Sequence, residues 1–552
     1  MTATMTAAPR PRYEPDPAGS HRRPSGALVK LVCAAATALV MADTLAATLM
    51  LPMLGRDRVV ADVPLAQLSL LATINLAAIA GLLAAGGRLA DLLGRRGVLA
   101  AGLGLFAAGA AAMVAGPSWP VLLAGRAAQG VGAALMLPAG LGLLLARVEA
   151  RRRGGAAALW GAATGGGGLV MHALGGWVLD TYGWRALYLP LAATAGALLL
   201  LTAALPSSPV VRRPRPDLLG MTALAAATTA LVLLVSLGGQ WGWVSLAAAS
   251  AASVTVAGFM LALARSRRHP AGAIDRGLWR CPGWRWGMTA SLLYGLTAFP
   301  VLAVAPLLLR ETGIPATQAG LALVPLSAAV AVVSLLTGKL ARRVGTSWAT
   351  YAGGYLSAVA LLGLHLVPPA SAAAAAGLTL LGCGFGVLST TATIAGTSGV
   401  PADRFALAVG SLTTARMLGG AIGPAVALAY LGSYPGEVSA RYPDVLAGVT
   451  AVTLLLASAG LVRRLRTGPR ADRTAAAVPA HPVSASAGAM PPAPADADQL
   501  RAALLRQRAR LEAIASAAEA ELACLTDPRS HSPMRAARSN LVPLVPSPGG
   551  PA

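Results

Sequence analysis

Apolar runs of about 20 residues recur along this chain from residue 27 to residue 462, and each is long enough to cross about 30 Å of hydrocarbon as a helix. They lie at 27–54, 65–87, 97–116, 119–146, 155–179, 184–204, 217–238, 243–264, 286–309, 319–340, 347–367, 371–396, 404–432 and 443–462. In a bilayer the backbone must satisfy its own polar groups within each segment, so runs of this length force helices. The expected fold class is therefore all-α integral membrane, with 14 transmembrane helices. Composition leaves no soluble alternative: 56% of the residues are hydrophobic and 12% charged, with mean hydropathy +0.65, against about a quarter charged in a soluble globular chain. The first run is expected to stay in place as helix one, because a long polar region precedes it and no small-residue cleavage site follows.

The formal charge is +23, which in a soluble protein would point to nucleic acid. Here the cations fall in short loops and tails between apolar runs, where they act as topology signals, so no nucleic-acid partner is expected. Loops after even-numbered runs hold Arg88, Arg95 and Arg96; Arg147 and Arg151 to Arg153; Arg212, Arg213 and Arg215; Arg265, Arg267, Arg268, Arg276 and Arg280; Lys339, Arg342 and Arg343. Loops after odd-numbered runs hold Arg56, Arg58, Arg185, Arg310 and Arg441. Roughly 20 cations against about 5 place both termini in the cytoplasm, which requires an even helix count. The four cysteines, Cys33, Cys281, Cys383 and Cys524, have no metal spacing, so neither a disulfide framework nor a metal site follows.

Straddling the end of the second run, the chain reads Gly87-Arg88-Leu89-Ala90-Asp91-Leu92-Leu93-Gly94-Arg95-Arg96-Gly97. Each ionised group would cost about 2.5 to 3.5 kcal/mol in the bilayer centre, so this turn lies at a membrane surface. The pattern resembles the loop between the second and third helices of the major facilitator superfamily, G-x-L-a-D-x-x-G-r-r. The resemblance implies the major facilitator fold and a conformational latch made of Gly87, Asp91, Gly94, Arg95 and Arg96. In that latch the carboxylate sits near a helix N-terminus, favoured by about 0.3 to 1 kcal/mol; the receiving helix is expected to be the thirteenth, which opens near Pro401-Ala402-Asp403-Arg404. A solvated turn would explain the arginines but neither Asp91 nor Gly87. After the tenth run, Gly338-Lys339-Leu340-Ala341-Arg342-Arg343-Val344-Gly345 repeats the spacing with Arg342 where the first copy has Asp91, so only the first copy is expected to latch.

These repeats suggest two six-helix bundles, at 27–204 and 286–462, with two inserted helices and their linkers at 205–285. The inserted pair turns at Gly238-Gly239-Gln240-Trp241-Gly242-Trp243, whose tryptophans suit the membrane interface. Residues 1–26 form an N-terminal cytoplasmic tail. Residues 463–552 form a second, proline-broken and mostly disordered, with a short helix at about 498–525 where Leu504, Leu511, Ala518 and Leu525 recur every seven residues. That helix either self-associates, lies on membrane lipid or stays a marginal solvated segment.

Helix one carries Asp43-Thr44-Leu45-Ala46-Ala47-Thr48-Leu49-Met50-Leu51-Pro52, similar to the D-x-T-x-x-N-x-A-L-P stretch of the fourteen-helix drug:proton antiporter subfamily, with Leu45 and Thr48 departing from it. Helix four carries Arg126-Ala127-Ala128-Gln129-Gly130-Val131-Gly132, which looks like the superfamily's R-x-x-Q-G-x-G. An acid among apolar neighbours is a reversible proton carrier or a static partner for Arg126. Arg126 never deprotonates, so it holds a fixed charge, orders Gln129 and biases Asp43, or it clamps the helices. Helix five has Gly167-Gly168-Leu169-Val170-Met171-His172-Ala173-Leu174-Gly175-Gly176 against G-x-x-x-G-P-x-x-G-G. Gly167, Gly175 and Gly176 match and permit close packing; Met171 and His172 replace the Gly-Pro, so no proline kink is expected. His172 is either a second titrating group or a satisfied core residue. Asp180-Thr181-Tyr182-Gly183-Trp184-Arg185 resembles the family's periplasmic D-x-x-G-W-R turn. In helix thirteen, Arg416-Met417-Leu418-Gly419-Gly420 is similar to the family's R-x-x-G stretch, with Arg416 structural or cavity-lining. The pair at Arg310-Glu311 reads as an external cap.

No phosphate-binding loop is present, since Gly165 to Gly168 lacks the following Lys-Ser or Lys-Thr, and no cofactor or enzyme activity is expected. The resemblance implies a proton-coupled secondary exporter of drugs or specialised metabolites in the bacterial plasma membrane, its partners protons and amphiphilic or cationic small molecules. An uptake symporter, a lipid translocator and a non-transporting membrane sensor or scaffold are the alternatives.

Overall fold

In the computed structural model the described residues are 26–467, apart from 55–56, 58, 61–62, 64, 69, 150–151, 206–215, 270, 312–313, 369–370 and 433–437, together with Glu512. Met1–Val478 and Pro479–Ala552 separate as two units; the segment at 498–525 lies outside the described residues, Glu512 excepted. The long helices are α1 Gly26–Leu54, α2 Leu70–Leu93, α3 Arg95–Ala115, α4 Trp119–Ala146, α5 Arg153–Val170, α6 Tyr188–Thr202 and α7 Leu218–Trp241. They continue with α8 Leu246–Arg268, α9 Pro282–Glu311, α10 Ala316–Val344, α11 Thr346–His365, α12 Ala372–Thr397, α13 Phe405–Gly432 and α14 Val438–Thr467.

Among the described residues twelve helices have the length and apolarity to cross a membrane, against fourteen expected. The two left out are α5, whose Arg153 and glycines lower its apolarity, and α11, which carries Ser, Thr, Tyr, Gly and His among its apolar residues. The fold is all-helical. Helices α1 to α6 pack on one another, as do α9 to α14, and the two groups meet chiefly through α2 on α13 and α5 on α10. Small residues make these seams possible, because side chains on both helices would hold the backbones apart. Gly87 abuts the Ala406 backbone, Gly410 the Leu83 backbone and Gly165 the Ala331 backbone.

Helix α7 lies against both α2 and α13, where the Thr229 hydroxyl donates to the Ala77 carbonyl at 3.3 Å. Its N-terminus is capped by Asp217, whose carboxylate also accepts from Arg265 of α8 at 3.0 Å. Helix α8 packs on α7 and leaves Val256, Met260 and Leu261 exposed, as a lipid-facing surface requires. The short linker helix Arg276–Trp279 is tied to both bundles by Asp275, which accepts from Arg404 at 2.9 Å and faces Arg88 at 3.8 Å.

Candidate coupling and substrate site

Asp43 stands midway along α1 and is fully buried. A lone carboxylate there would be costly, and three side chains from two other helices meet it. Arg126 of α4 donates from Nη1 to Oδ1 at 2.6 Å, Gln129 donates from Nε2 to Oδ1 at 2.8 Å, and Asn75 of α2 donates from Nδ2 to Oδ2 at 3.1 Å. Arg126 is held in turn, donating to the Leu71 carbonyl at 3.0 Å and to Gln129 Oε1 at 2.9 Å, with its guanidinium 5.7 Å from the Tyr188 ring centroid. A spacing of three puts Arg126 and Gln129 on one face of α4. A Cβ on Gly130 would stand 2.6 Å from the Asn75 carbonyl oxygen, so glycine at this position brings α2 close enough for Asn75 to reach the acid. Asn75 carries no signal in the sequence, since a lone amide in an apolar run does not name its partner.

His172 is not brought into this cluster. Its Nδ1 lies 2.9 Å from the Ser327 hydroxyl of α10, across the seam between bundles. It sits in a π-turn, Met171–Gly175, after which the helix resumes at Gly176–Tyr182. No proline kink is expected here, and the helix is interrupted instead by a register shift without proline, as single π-turns do. Gly167 abuts the Ala38 backbone of α1, and Gly175 faces Met171 and Leu49.

At the C-terminal end of α2, Asp91 is buried and its Oδ2 accepts from the Leu407 amide at 2.8 Å, while Oδ1 accepts from Ala406 at 3.3 Å. These amides open α13, where unsatisfied N–H groups and the helix dipole favour an anion. Arg95 grips the same carboxylate through Nε at 3.0 Å and Nη2 at 2.7 Å and donates onward to the Gly142 carbonyl at 3.0 Å. Gly94 reverses the chain at φ 110°, a conformation that favours glycine. Arg96 stands apart, donating to the Ala203 carbonyl at 2.8 Å.

The opposite end of the bundles has the same device. Gly176 and Asp180 keep the four-residue spacing of Gly87 and Asp91, and Asp180 Oδ2 accepts from the Thr317 amide at 2.9 Å and its hydroxyl at 2.6 Å at the start of α10. A Cβ on Gly176 would stand 2.7 Å from both the Ala316 carbonyl carbon and the Thr317 Cα, the counterparts of the Ala406 and Leu407 atoms facing Gly87. Beside it Asp57 accepts from Trp184 Nε1 at 2.8 Å and from Arg185 at 3.2 Å. Burial pushes the Asp57 carboxyl up, but the Val59 amide, the Trp184 indole and the Arg185 charge outweigh it and hold its pKa below 3.8.

Between the bundles Arg416 of α13 is buried with its guanidinium carbon 5.0 Å from the Trp160 ring centroid and 4.8 Å from that of Tyr294. Gly420, one turn on, lies against the Phe299 ring. Arg416, Trp160, Tyr294 and Phe299 line a central cavity of about 40 Å³ with Thr37 and Thr44 of α1. Drug-sized ligands need about 300 to 1,000 Å³, so the centre is closed. The side chains of Arg310 and Glu311 lie outside the described residues.

Residues 32–424 match the sequence model of the Major Facilitator Superfamily. The chain belongs to the major facilitator superfamily. Among superfamily relatives, it is 34% identical over 440 residues to the cephamycin export protein of Amycolatopsis lactamdurans, covering 76% of this chain and 88% of that one. It is 32% identical over 342 residues to a multidrug resistance protein of Mycobacterium tuberculosis, covering 61% of this chain and 64% of the relative. The human organic anion transporter MFSD10 superposes with a TM-score of 0.58 at 16% identity, covering 79% of this chain and 99% of that one. A proton:xylose symporter gives 0.56 at 15%, covering 78% and 94%. At such identities the likeness is one of fold, and the major facilitator fold is what the helix packing shows.

Proposed function

We propose that this protein is a secondary exporter of drugs or specialised metabolites that works by alternating access and is driven by protons. The observation that carries this reading is the pair of matched Gly-x-x-x-Asp closures, one on each face, around a shut central cavity. Because both join the same two bundles, opening one face strains only the closure on that face, as a rocking transporter needs. Export is the direction of the relatives named for cephamycin export and multidrug resistance. In this reading all fourteen long helices span the membrane, including α5 and α11, and both termini are cytoplasmic, as the cation bias demands.

Asp43 is the proposed proton site. A proton arriving on its carboxylate cancels the charge that Arg126 pairs with at 2.6 Å, freeing Arg126 and Gln129 to rearrange and loosening α1 from α4. His172, against Ser327, takes the lesser part of adjusting the α5–α10 seam. In inverted membrane vesicles the protein is expected to concentrate an antibiotic substrate in the lumen, and a protonophore to abolish that. Accumulation unaffected by the protonophore sinks proton coupling, and no movement of any substrate leaves a sensor or scaffold.

A further inference from the structure

The Asp43–Arg126 pair balances its own charge; the other buried guanidinium that faces the centre does not. No carboxylate among the described residues lies within 4.0 Å of Arg416, whose Nη2 reaches the Ser389 carbonyl at 3.4 Å and whose Nε has no acceptor among the described residues. Trp160 Nε1, against the same guanidinium, also lacks an acceptor among the described residues. Both residues are at least 95% buried and both line the central cavity. A buried cation without a counter-charge is expensive. Stacking between two aromatic faces offsets part of that cost and fixes the plane of the guanidinium, leaving the Arg416 Nε–H and the Trp160 indole N–H free to donate.

We infer that Arg416 and Trp160 form the receptor for an anionic group of the substrate, and that the transported class is aromatic or apolar carboxylates, not cations. This rests on the exporter reading and sharpens its substrate. A guanidinium with an unused N–H binds a carboxylate by charge-assisted hydrogen bonds, and the Phe299 and Met417 walls take an apolar body. A second cavity agrees in sign: Lys30, Arg152 and Arg342 line a space of about 760 Å³ between α1, α4, α5 and α10. Their field raises the local concentration of an anion there. A permanently cationic substrate would meet positive charge there and again at the centre.

The test uses full-length protein in detergent and in proteoliposomes, with 1-pyrenebutyrate and a pyrenebutyl-trimethylammonium of matched size as probes. Wild type is expected to bind the carboxylate at least about tenfold more tightly than the ammonium. Arg416→Gln removes that preference and Arg416→Lys keeps part of it, because it keeps the charge and loses the planar fork. Trp160→Phe keeps the ring, loses the indole donor and weakens carboxylate binding several-fold while leaving the ammonium unchanged. Tighter binding of the ammonium by wild type, or undiminished carboxylate binding by both Arg416→Gln and Trp160→Phe, overturns the assignment. Selective carboxylate binding without movement into proteoliposomes upholds the anion receptor and overturns the exporter reading instead.

Discussion

Two buried arginines show how differently one side chain is used inside this membrane protein. Arg126 is neutralised by Asp43 and spends its remaining donors on Leu71 and Gln129, so removing it strands a carboxylate. Arg126→Ala is expected to cost about 3 to 5 kcal/mol of stability, and Asp43→Asn in the same chain to recover most of it; thermal unfolding in detergent of the two single variants and the double measures the coupling. Asp43→Asn alone is expected to insert normally yet abolish protonophore-sensitive accumulation, and wild-type accumulation by that variant removes Asp43 from the coupling role. On the outer face, the lowered pKa of Asp57 means that its contacts contribute stability above the unfolded value and lose it as pH falls through the folded value. Thermal stability should therefore fall off below about pH 4 more steeply in wild type than in Asp57→Asn. The Asp43 cluster was readable in sequence because an acid and an arginine inside apolar runs are conspicuous. Asn75 and the Trp160–Arg416–Tyr294 stack were not, since they depend on helices far apart in the chain meeting at one depth.

At the scale of helices, the closures on the two faces are built from α2 against α13 and α5 against α10, each needing a glycine where a side chain would force the backbones apart. Asp91→Ala should favour the inward-open form and Asp180→Ala the outward-open form. A contact worth about 1.4 kcal/mol shifts the ratio of the two by about tenfold. Hydrogen exchange followed by mass spectrometry reads both: each variant should deprotect the face it unlatches and protect the starting turn of the receiving helix on the opposite face. Exchange that changes only beside the substituted residue would reduce these contacts to local capping. The inner closure was legible down to its recipient through the resemblance of its turn to the family's loop, which implies a carboxylate set at a helix N-terminus. The outer one was visible only as a turn motif, since its partner, the amide and hydroxyl of Thr317, opens a helix far along the chain and nothing in the sequence links the two. The π-turn was invisible for a related reason: hydrogen-bond register leaves no mark in an apolar pattern once proline is absent.

At the scale of the whole molecule, the groups assigned to coupling, closure and binding fall between Lys30 and Met417, well before the proline-rich tail. Ending the chain after about residue 470 is therefore expected to leave vesicle transport within about twofold of the full-length rate; loss of transport with normal insertion would make the tail part of the machine. The all-helical class was legible and the even parity was expected from charge, but among the described residues only twelve of the fourteen expected spans have the length and apolarity to cross a membrane, and which helices meet at the seam could not be read from fourteen similar apolar strings. The inserted pair adds an asymmetry of its own. Helix α7 joins α4 in standing against both α2 and α13, whereas of the long helices described α12 alone packs substantially on both α5 and α10. An amphiphile already dissolved in the bilayer thus finds one flank fenced and the other open, so the lipid around this protein has a front and a back.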